Sequence, residues 1–268
     1  MSTTAAFVGN IPETYDRGMG PVIFVDYAAL MAGRVAALNP KRVLETAAGT
    51  GIVTQALRAA LPATTMITAT DLNPPMLDIA ERKLKDAGNL VFQPADAQDL
   101  PFPDAAFDLA VCQFGIMFYP DKPLSFREIH RVLEPGGQYL FSVWDSHVNN
   151  PYAVVVDTVI QGLFPENPPR FFHVPFSCAA IDPLKEMLAA TGFTDITISV
   201  MPFTKTIPDI DAFAHALVYG NPLNLEIRER SSIHPDEAVA RIAAALRAKF
   251  GAEGKMDLQT LFYAARKP

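Results

Sequence analysis

Two cysteines, Cys112 and Cys178, are all that the sequence contains, too few for a disulfide framework or for a cysteine-rich zinc site. Basic residues are also scarce, because 22 lysines and arginines stand against 29 aspartates and glutamates, a formal charge of −7. A protein that binds duplex nucleic acid needs a basic surface to displace counterions from phosphates, so we expect no nucleic-acid partner. Charged residues make up only 19% of the 268 residues and hydrophobic residues 50%, which excludes disorder over most of the chain.

Long uninterrupted apolar runs are missing as well. The first 18 residues lack the basic region and the apolar stretch of a secretion signal. The most apolar window, residues 22–38, is interrupted by Asp26 and Arg34, so we expect no stable membrane insertion. No histidine, cysteine and carboxylate cluster has the spacing of metal ligands, and no metal is expected. These absences predict a globular protein of the cytoplasm.

Strand-like and helix-like patterns alternate along the first 145 residues, separated by prolines. Strand-like segments lie at residues 42–46, 66–70, 90–93, 107–113 and 138–143. Helix-like segments lie between them at 53–60, 76–87 and 124–133. This alternation predicts an α/β fold with a mostly parallel sheet.

Beyond Trp144 the pattern becomes mainly helical. Helices are predicted at 152–163, 183–191, 210–219 and 236–250, and strands only at 195–200 and 258–264. The segment 164–178 is rich in proline and phenylalanine without periodicity, and such loops are uncommon in compact domains unless they are functional. No Gly/Ser linker separates the halves. We therefore predict one domain over 1–268, with an N-terminal helical segment (1–40), a ligand-binding core (41–145) and a region with the last strands and a helical cap (146–268).

A loop of small residues, 47–51 (Ala-Ala-Gly-Thr-Gly), lies between the first predicted strand and the next helix. Small residues let a ligand approach the backbone, and a helix N-terminus offers free N–H groups. The spacing does not fit the dinucleotide pattern G-x-G-x-x-G, because Thr54 takes its third position when counting from Gly49. No Gly-Lys-Ser or Gly-Lys-Thr follows, which excludes a P-loop.

Three carboxylates, Glu45, Asp71 and Asp96, lie at or just after the ends of the first three predicted strands. Asp71 could accept hydrogen bonds from the ribose hydroxyls of a nucleoside, although alone it fits a nicotinamide enzyme or a helix cap equally well. Glu45 ends a buried strand, where a carboxylate is costly unless paired, so it could face a cationic ligand or the N–H groups of the glycine loop. Asp96 could accept from an exocyclic amine, next to the backbone N–H of Ala97.

Four segments, in this order, resemble the class I S-adenosylmethionine (SAM)-dependent methyltransferases. They are VLETAAGTGIVT (43–54), ATDLNPPMLDIA (69–80), FQPADAQDLPFPDAAFDLAVCQFGIMFYPD (92–121) and REIHRVLEPGGQYLFSVW (127–144). The closer resemblance is to the type 11 subgroup, which includes ubiquinone/menaquinone-biosynthesis methyltransferases. It implies a Rossmann-like fold, a mostly parallel seven-stranded sheet with an antiparallel last strand, SAM as the cofactor and S-adenosylhomocysteine as its product.

The resemblance also implies a set of cofactor-binding residues. The glycine loop would lie against the methionine part of SAM, Asp71 would hold the ribose, Asp96 and Ala97 the adenine, and Gln113 the methionyl side. The family's first loop glycine is Ala47 here, a change that is tolerated where φ is negative. The full set is Tyr15, Tyr27, Glu45, Ala47, Gly49, Thr50, Gly51, Asp71, Leu72, Asp96, Ala97 and Gln113.

Methyl transfer from a sulfonium requires alignment and desolvation more than acid–base groups. The phenylalanine-rich segment 164–178 predicts a small apolar or aromatic acceptor, enclosed by a cap, with O, N or C as the accepting atom. His173 in this segment and His147 after the fifth strand are the candidate bases, although the surrounding aromatic cluster could simply be core. Two alternatives stay open: a non-catalytic SAM-binding module, and a nicotinamide-dependent oxidoreductase, which the loop spacing disfavours.

Overall fold

The computed structural model describes residue 7 and residues 9–230, 233–251 and 253–268. One sheet contains seven strands: β1 (Arg42–Glu45), β2 (Met66–Asp71), β3 (Leu90–Pro94), β4 (Phe107–Gln113), β5 (Leu133–Trp144), β6 (Thr194–Thr206) and β7 (Lys255–Arg266). Their order across the sheet is β3-β2-β1-β4-β5-β7-β6. The first five pair in parallel, and β7 lies antiparallel between β5 and β6. The predicted mostly parallel, seven-stranded α/β fold with an antiparallel last strand is confirmed.

Ten α-helices cover the two faces of the sheet within the described ranges. They are α1 (Ile11–Thr14), α2 (Val25–Ala37), α3 (Ile52–Ala60), α4 (Pro74–Leu84), α5 (Lys122–Val132), α6 (Pro151–Leu163), α7 (Ile181–Thr191), α8 (Ile210–Tyr219), α9 (Leu223–Arg230) and α10 (Pro235–Phe250). A π-helical segment, Tyr15–Phe24, joins α1 to α2. Of these helices, the sequence patterns did not predict α9, a short helix with four charged residues out of eight.

The two central strands, β1 and β4, consist mainly of buried apolar residues. Val43 and Leu44 in β1 and Leu109, Ala110 and Val111 in β4 are at most 1% exposed. Strands covered on both faces by helices need such continuous apolar runs. Burying each large side chain contributes about 1.5–3 kcal/mol relative to leaving it in water.

The N-terminal helix Ile11–Ala37, which includes the π-helical segment, is long and apolar enough to cross a membrane by length and composition alone. In its most apolar window, however, 56% of the residues are buried inside the fold. Its buried residues Tyr27, Met31 and Val35 pack into the hydrophobic core. That burial is the behaviour of a core helix.

The strand order reverses between β1 and β4, since β1 pairs with β2 on one side and with β4 on the other. In open α/β sheets, ligands bind outside the carboxyl ends of the strands at this switch point. The fold therefore places the glycine loop, Asp71 and Gln113 at the edge where a ligand is expected.

Candidate active site

A cavity of about 740 Å³, a volume that includes its solvent-open entrance, lies at this carboxyl edge; we call it the cofactor cavity. It brings together eight of the twelve predicted cofactor residues on its wall, among them Tyr15 from the N-terminal segment. The lining residues are Phe7, Tyr15, Ala47, Gly49, Thr70, Asp71, Leu72, Asn73, Met76, Ala95, Asp96, Ala97, Gln113, Phe114, Gly115, Phe118 and Tyr119.

The glycine loop turns sharply over the end of β1. Ala47 has φ +53° and Gly49 φ +56°, both in the left-handed region. The loop is fixed to β2 because the Ala48 N–H donates to the Thr70 carbonyl (2.9 Å) and the Gly49 N–H to Asp71 Oδ2 (2.8 Å). The expected negative φ at Ala47 is wrong: the tight turn requires a conformation that glycine adopts freely and alanine adopts at a cost.

Asp71 ends β2 with its carboxylate beside the loop. Oδ2 accepts from the Gly49 N–H, and Oδ1 accepts from the backbone N–H (2.8 Å) and the side-chain amide (3.3 Å) of Asn73. Burial raises the pKa of Asp71 above its usual value, while these N–H donors oppose the shift. A carboxylate has about four lone-pair sites, so Asp71 keeps acceptor capacity for a ligand while it holds the loop.

Asp96 and Gln113 provide two further polar points on the wall. Asp96 Oδ1 accepts from the backbone N–H (2.9 Å) and the side-chain amide (3.2 Å) of Gln98. Gln113 donates from Nε2 to the Phe24 carbonyl (3.3 Å), and its buried Oε1 has no hydrogen-bond partner in the described parts of the chain. Gln113 lines the cavity, and because buried polar atoms are normally satisfied, its unpaired amide oxygen fits a ligand N–H.

Thr50 and Gly51, the last two residues of the loop, lie outside the lining of the cavity. Gly51 has φ +79° and caps α3. A Cβ on Gly51 would lie 2.7 Å from the Cβ of Ala80 in α4. Close packing of α3 against α4, and not ligand contact, therefore explains this glycine.

Glu45 and Tyr27 also lie outside the cavity lining. Glu45 is 2% exposed and accepts from the Thr54 hydroxyl (2.7 Å), and burial raises the pKa of its carboxyl to about 8. Tyr27 is 2% exposed and donates to the Met201 carbonyl (3.3 Å), with its ring edge-on to Phe203. Both are core residues near the site, so the expected direct contacts with the cofactor are not supported by this geometry.

A second cavity, of about 510 Å³, adjoins the first; we call it the aromatic cavity. Phe114 and Trp144 form one wall as a stacked pair, with centroids 4.2 Å apart and planes 4° from parallel. Phe7, Tyr15, Phe114 and Phe118 line both cavities. The other lining residues are Met19, Ile23, Phe24, Met117, Tyr152, Phe171, Phe172, Pro175, Phe176, Leu217 and Asn221.

The cap segment supplies phenylalanines to this cavity, but neither histidine lines it. His173 points outwards, with its side chain 59% exposed and Nε2 3.4 Å from Asp157 Oδ1. His147 donates from Nε2 to the Phe172 carbonyl (3.1 Å), and burial lowers the pKa of its imidazole. This geometry gives no support to the prediction of His173 and His147 as bases: the first faces solvent, and the second donates to the backbone of the cap segment.

Sequence reasoning missed the aromatic residues Phe114, Phe118 and Tyr119 as parts of the wall. Phe114 follows β4 with φ +55°, and residues 116–118 form a single 3₁₀ turn, from which Phe118 lines both cavities and Met117 the aromatic cavity. The quoted segment 92–121 contained them, but an irregular turn has no periodicity from which side-chain direction can be predicted.

A family model described as a methyltransferase domain (Methyltransf_11) matches residues 44–141. Demethylmenaquinone methyltransferase of Thermus thermophilus is 36% identical over 166 residues, which cover 58% of this chain and 75% of that protein. The ubiquinone/menaquinone biosynthesis C-methyltransferase UbiE of Psychromonas ingrahamii is 33% identical over 129 residues, covering 47% and 51%.

Solved structures of other proteins share this fold. The YcgJ protein of Bacillus subtilis has a TM-score of 0.58 at 18% identity, covering 90% of this chain and 98% of its own. A phosphoethanolamine N-methyltransferase 2 of Haemonchus contortus, in complex with S-adenosyl-L-methionine, has a TM-score of 0.54 at 17% identity, covering 97% and 60%.

The cofactor cavity fits SAM, because Asp71 and Asp96 provide carboxylates and Gln113 provides an unpaired amide oxygen beside the glycine loop, at the carboxyl edge of the sheet. The matched segment 44–141 includes each of these groups. The chain therefore belongs to the class I SAM-dependent methyltransferases, in the UbiE-like subgroup, and is an enzyme that transfers the methyl group of SAM to a small molecule.

Proposed function

We propose that the methyl acceptor is a flat, uncharged aromatic molecule that binds in the aromatic cavity. The observation that carries this proposal is the shared wall of Phe7, Tyr15, Phe114 and Phe118, which makes the two cavities neighbours. A reacting atom in one cavity would then lie next to the cofactor in the other, and such proximity supplies much of the rate in a displacement reaction.

The chemistry of the wall supports a flat and neutral acceptor. Aromatic rings prefer offset-stacked or edge-to-face contacts with other rings, and the Phe114–Trp144 pair offers a flat surface. No carboxylate, ammonium, guanidinium or imidazole is among its lining residues in the described chain, and residues 1–6, 8, 231, 232 and 252 have no ionisable side chain. A charged acceptor would lose its hydration here without a partner. The demethylmenaquinone named for a relative is consistent with this class.

Each cavity would then have a separate task. In the cofactor cavity, Asp71, Asp96, Gln113 and the glycine loop would hold SAM, which supplies an electrophilic methyl group. In the aromatic cavity, stacking would orient the acceptor and exclude water, which strengthens electrostatic interactions at the reacting atoms. Burial raises the pKa of the Tyr15 hydroxyl, so Tyr15 would act as a hydrogen-bond donor and not as a base.

We further infer that residues 1–268 act as one methyltransferase domain in the cytoplasm. Support comes from the sheet itself, since β7, near the end of the chain, pairs with both β5 and β6. The aromatic cavity also combines the N-terminal segment, the centre of the sheet and the cap helices α6 and α8.

A comparison of two phenylalanine variants tests the acceptor site. Phe172 (6% exposed) lines the aromatic cavity, whereas Phe193 (3% exposed) is equally buried outside both cavities. With radiolabelled SAM and naphthohydroquinone as the acceptor, we expect Phe172→Ala to lower kcat/KM at least about tenfold, a loss of about 1.4 kcal/mol of transition-state stabilisation. Calorimetric SAM affinity should stay within about twofold in both variants, because neither side chain touches the cofactor cavity. Equal losses of kcat/KM in the two variants would contradict the proposed acceptor site.

A further inference from the structure

Tyr152 stands out among the residues of the aromatic cavity. It lies in the first turn of α6, is 3% exposed and packs among the rings of Trp144 (centroids 6.3 Å apart), Phe176 (6.4 Å) and Phe213 (5.9 Å). It lines the aromatic cavity but not the cofactor cavity.

Within the described parts of the chain the Tyr152 hydroxyl makes no side-chain hydrogen bond, and it is not one of the fully buried polar atoms that lack a partner. Buried tyrosine hydroxyls usually find a partner, because an unsatisfied polar group costs free energy when it is removed from water. Burial raises the pKa of this hydroxyl, and the nearby Tyr27 and Tyr15 add to the shift. The group therefore stays protonated and keeps a free O–H donor at the wall of the cavity.

Asn221 lines the same cavity, but its amide is already engaged. Nδ2 donates to the Leu217 carbonyl (2.8 Å), and Oδ1 accepts from the Leu223 N–H (2.9 Å). Tyr15 carries a hydroxyl as well, but it belongs to both cavities. Tyr152 is thus a free hydroxyl that can contact an acceptor without also lining the cofactor cavity.

We propose that Tyr152 determines acceptor specificity by donating a hydrogen bond to an oxygen substituent of the aromatic ring. This inference rests on the proposed acceptor site, and it assigns to that site the polar contact that stacking alone cannot provide. A site with a buried donor discriminates against an analogue that lacks the matching acceptor atom, because the donor is then left unpaired.

The protein contains its own reporter for this contact. Trp144 is the sole tryptophan of the sequence and lines the aromatic cavity, so its fluorescence should respond to a bound ring without any turnover. The probes are 2-naphthol and naphthalene, which have the same ring system and differ in one hydroxyl. We expect the wild-type protein, saturated with S-adenosylhomocysteine, to bind 2-naphthol about 2- to 12-fold more tightly, the range of one neutral hydrogen bond.

The variant to compare is Tyr152→Phe, which removes the hydroxyl and keeps the ring. The matched control is Tyr263→Phe, because Tyr263 in β7 is 0% exposed, also has an unpaired hydroxyl in the described chain and lies outside both cavities. In Tyr152→Phe the ratio of the two affinities should fall to about onefold, because no donor is left to distinguish 2-naphthol from naphthalene. Tyr263→Phe should keep the wild-type preference.

The outcomes separate this inference from the proposed function. If the quenching of Trp144 shows that both probes bind the wild-type protein with equal affinity, the aromatic acceptor site stands and the role of Tyr152 is refuted. An unchanged preference in Tyr152→Phe, or an equal loss in Tyr263→Phe, also refutes it. If neither probe changes Trp144 fluorescence while S-adenosylhomocysteine still binds by calorimetry, the proposed acceptor site itself is wrong.

Discussion

Replacing Glu45 by glutamine should change how stability depends on pH. The Glu45 carboxyl is 2% exposed, and a single side-chain hydroxyl, that of Thr54, donates to it at 2.7 Å. Burial is the largest cause that raises its pKa to about 8, and the charge of Asp71 adds to the shift, while the Thr54 hydrogen bond opposes it. The folded protein therefore keeps a proton on Glu45 at neutral pH.

The sign of the effect follows from proton linkage. Between the unfolded pKa of 4.5 and the folded pKa of about 8, the folded state binds more protons than the unfolded state. The free energy of unfolding must then fall as pH rises through this window, by at most about 1.4 kcal/mol per pH unit. The whole window corresponds to a loss on the order of 3–5 kcal/mol, and the loss is complete above the folded pKa.

Glutamine has the size of a protonated glutamate and cannot ionise. We expect urea unfolding between about pH 5 and pH 8.5 to show that the free energy of unfolding of Glu45→Gln, relative to that of the wild-type protein, increases by several kcal/mol as pH rises. Glu81→Gln, on the exposed surface of α4, removes the same formal charge without touching a buried carboxyl and serves as the control. A difference between Glu45→Gln and wild type that stays constant with pH would refute the reasoning.

Three further outcomes are expected. Asp71→Ala should weaken SAM binding by about 1.5–3 kcal/mol, as measured by calorimetry, and should also lower the melting temperature, because the Gly49 N–H loses its acceptor; unchanged affinity in a folded variant would contradict the ribose assignment. Gly115→Ala should destabilise the fold by about 1–3 kcal/mol in urea unfolding, since its Cβ would lie 2.4 Å from the Cβ of Ala47, and Ala47→Gly should restore part of the loss; no restoration would refute direct contact between the two sites. The His173→Ala variant should turn over within about twofold of the wild-type rate, because the imidazole faces solvent and contacts Asp157 outside both cavities; a loss of the size expected for a missing base, about 10²–10⁴-fold, would return His173 to the mechanism.

The fold could be predicted where sequence pattern and burial agree. The predicted β4 and α8 match the structure residue for residue, because a short bounded apolar run is typical of a strand buried on both faces, and a helix with one buried stripe has a clear period. The prediction of β6 ended at residue 200, while the strand continues to Thr206. Its side chains are mostly exposed, and Pro202 interrupts the pattern, so tertiary pairing with β7 decides its length.

The candidate site was predictable as a set of strand ends but not as a set of side-chain directions. Asp71 and Gln113 reach the cofactor cavity, as their positions after parallel strands predicted. Glu45 also ends a strand, yet its carboxyl turns to Thr54 on α3. Side chains alternate between the two faces of a strand, and the sequence alone does not indicate which face the last residue presents when the strand ends in a loop with positive φ.

The acceptor site depends on contacts between parts of the chain that are far apart in sequence. Tyr15 comes from a π-helical segment near the N-terminus, Phe114 from the turn after β4, and Tyr152 from the first turn of α6. From the sequence, each of these residues would be predicted to be a buried aromatic residue of the core. Only the fold brings them to one cavity beside the glycine loop. Since the segments that carry the family resemblance end at Trp144, the cofactor residues were visible in the sequence, whereas Tyr152 and the cap lie outside those segments. Under the proposed acceptor site, Tyr152 and Phe172 line the aromatic cavity and not the cofactor cavity, which is why their variants should alter acceptor binding or turnover and leave SAM affinity unchanged.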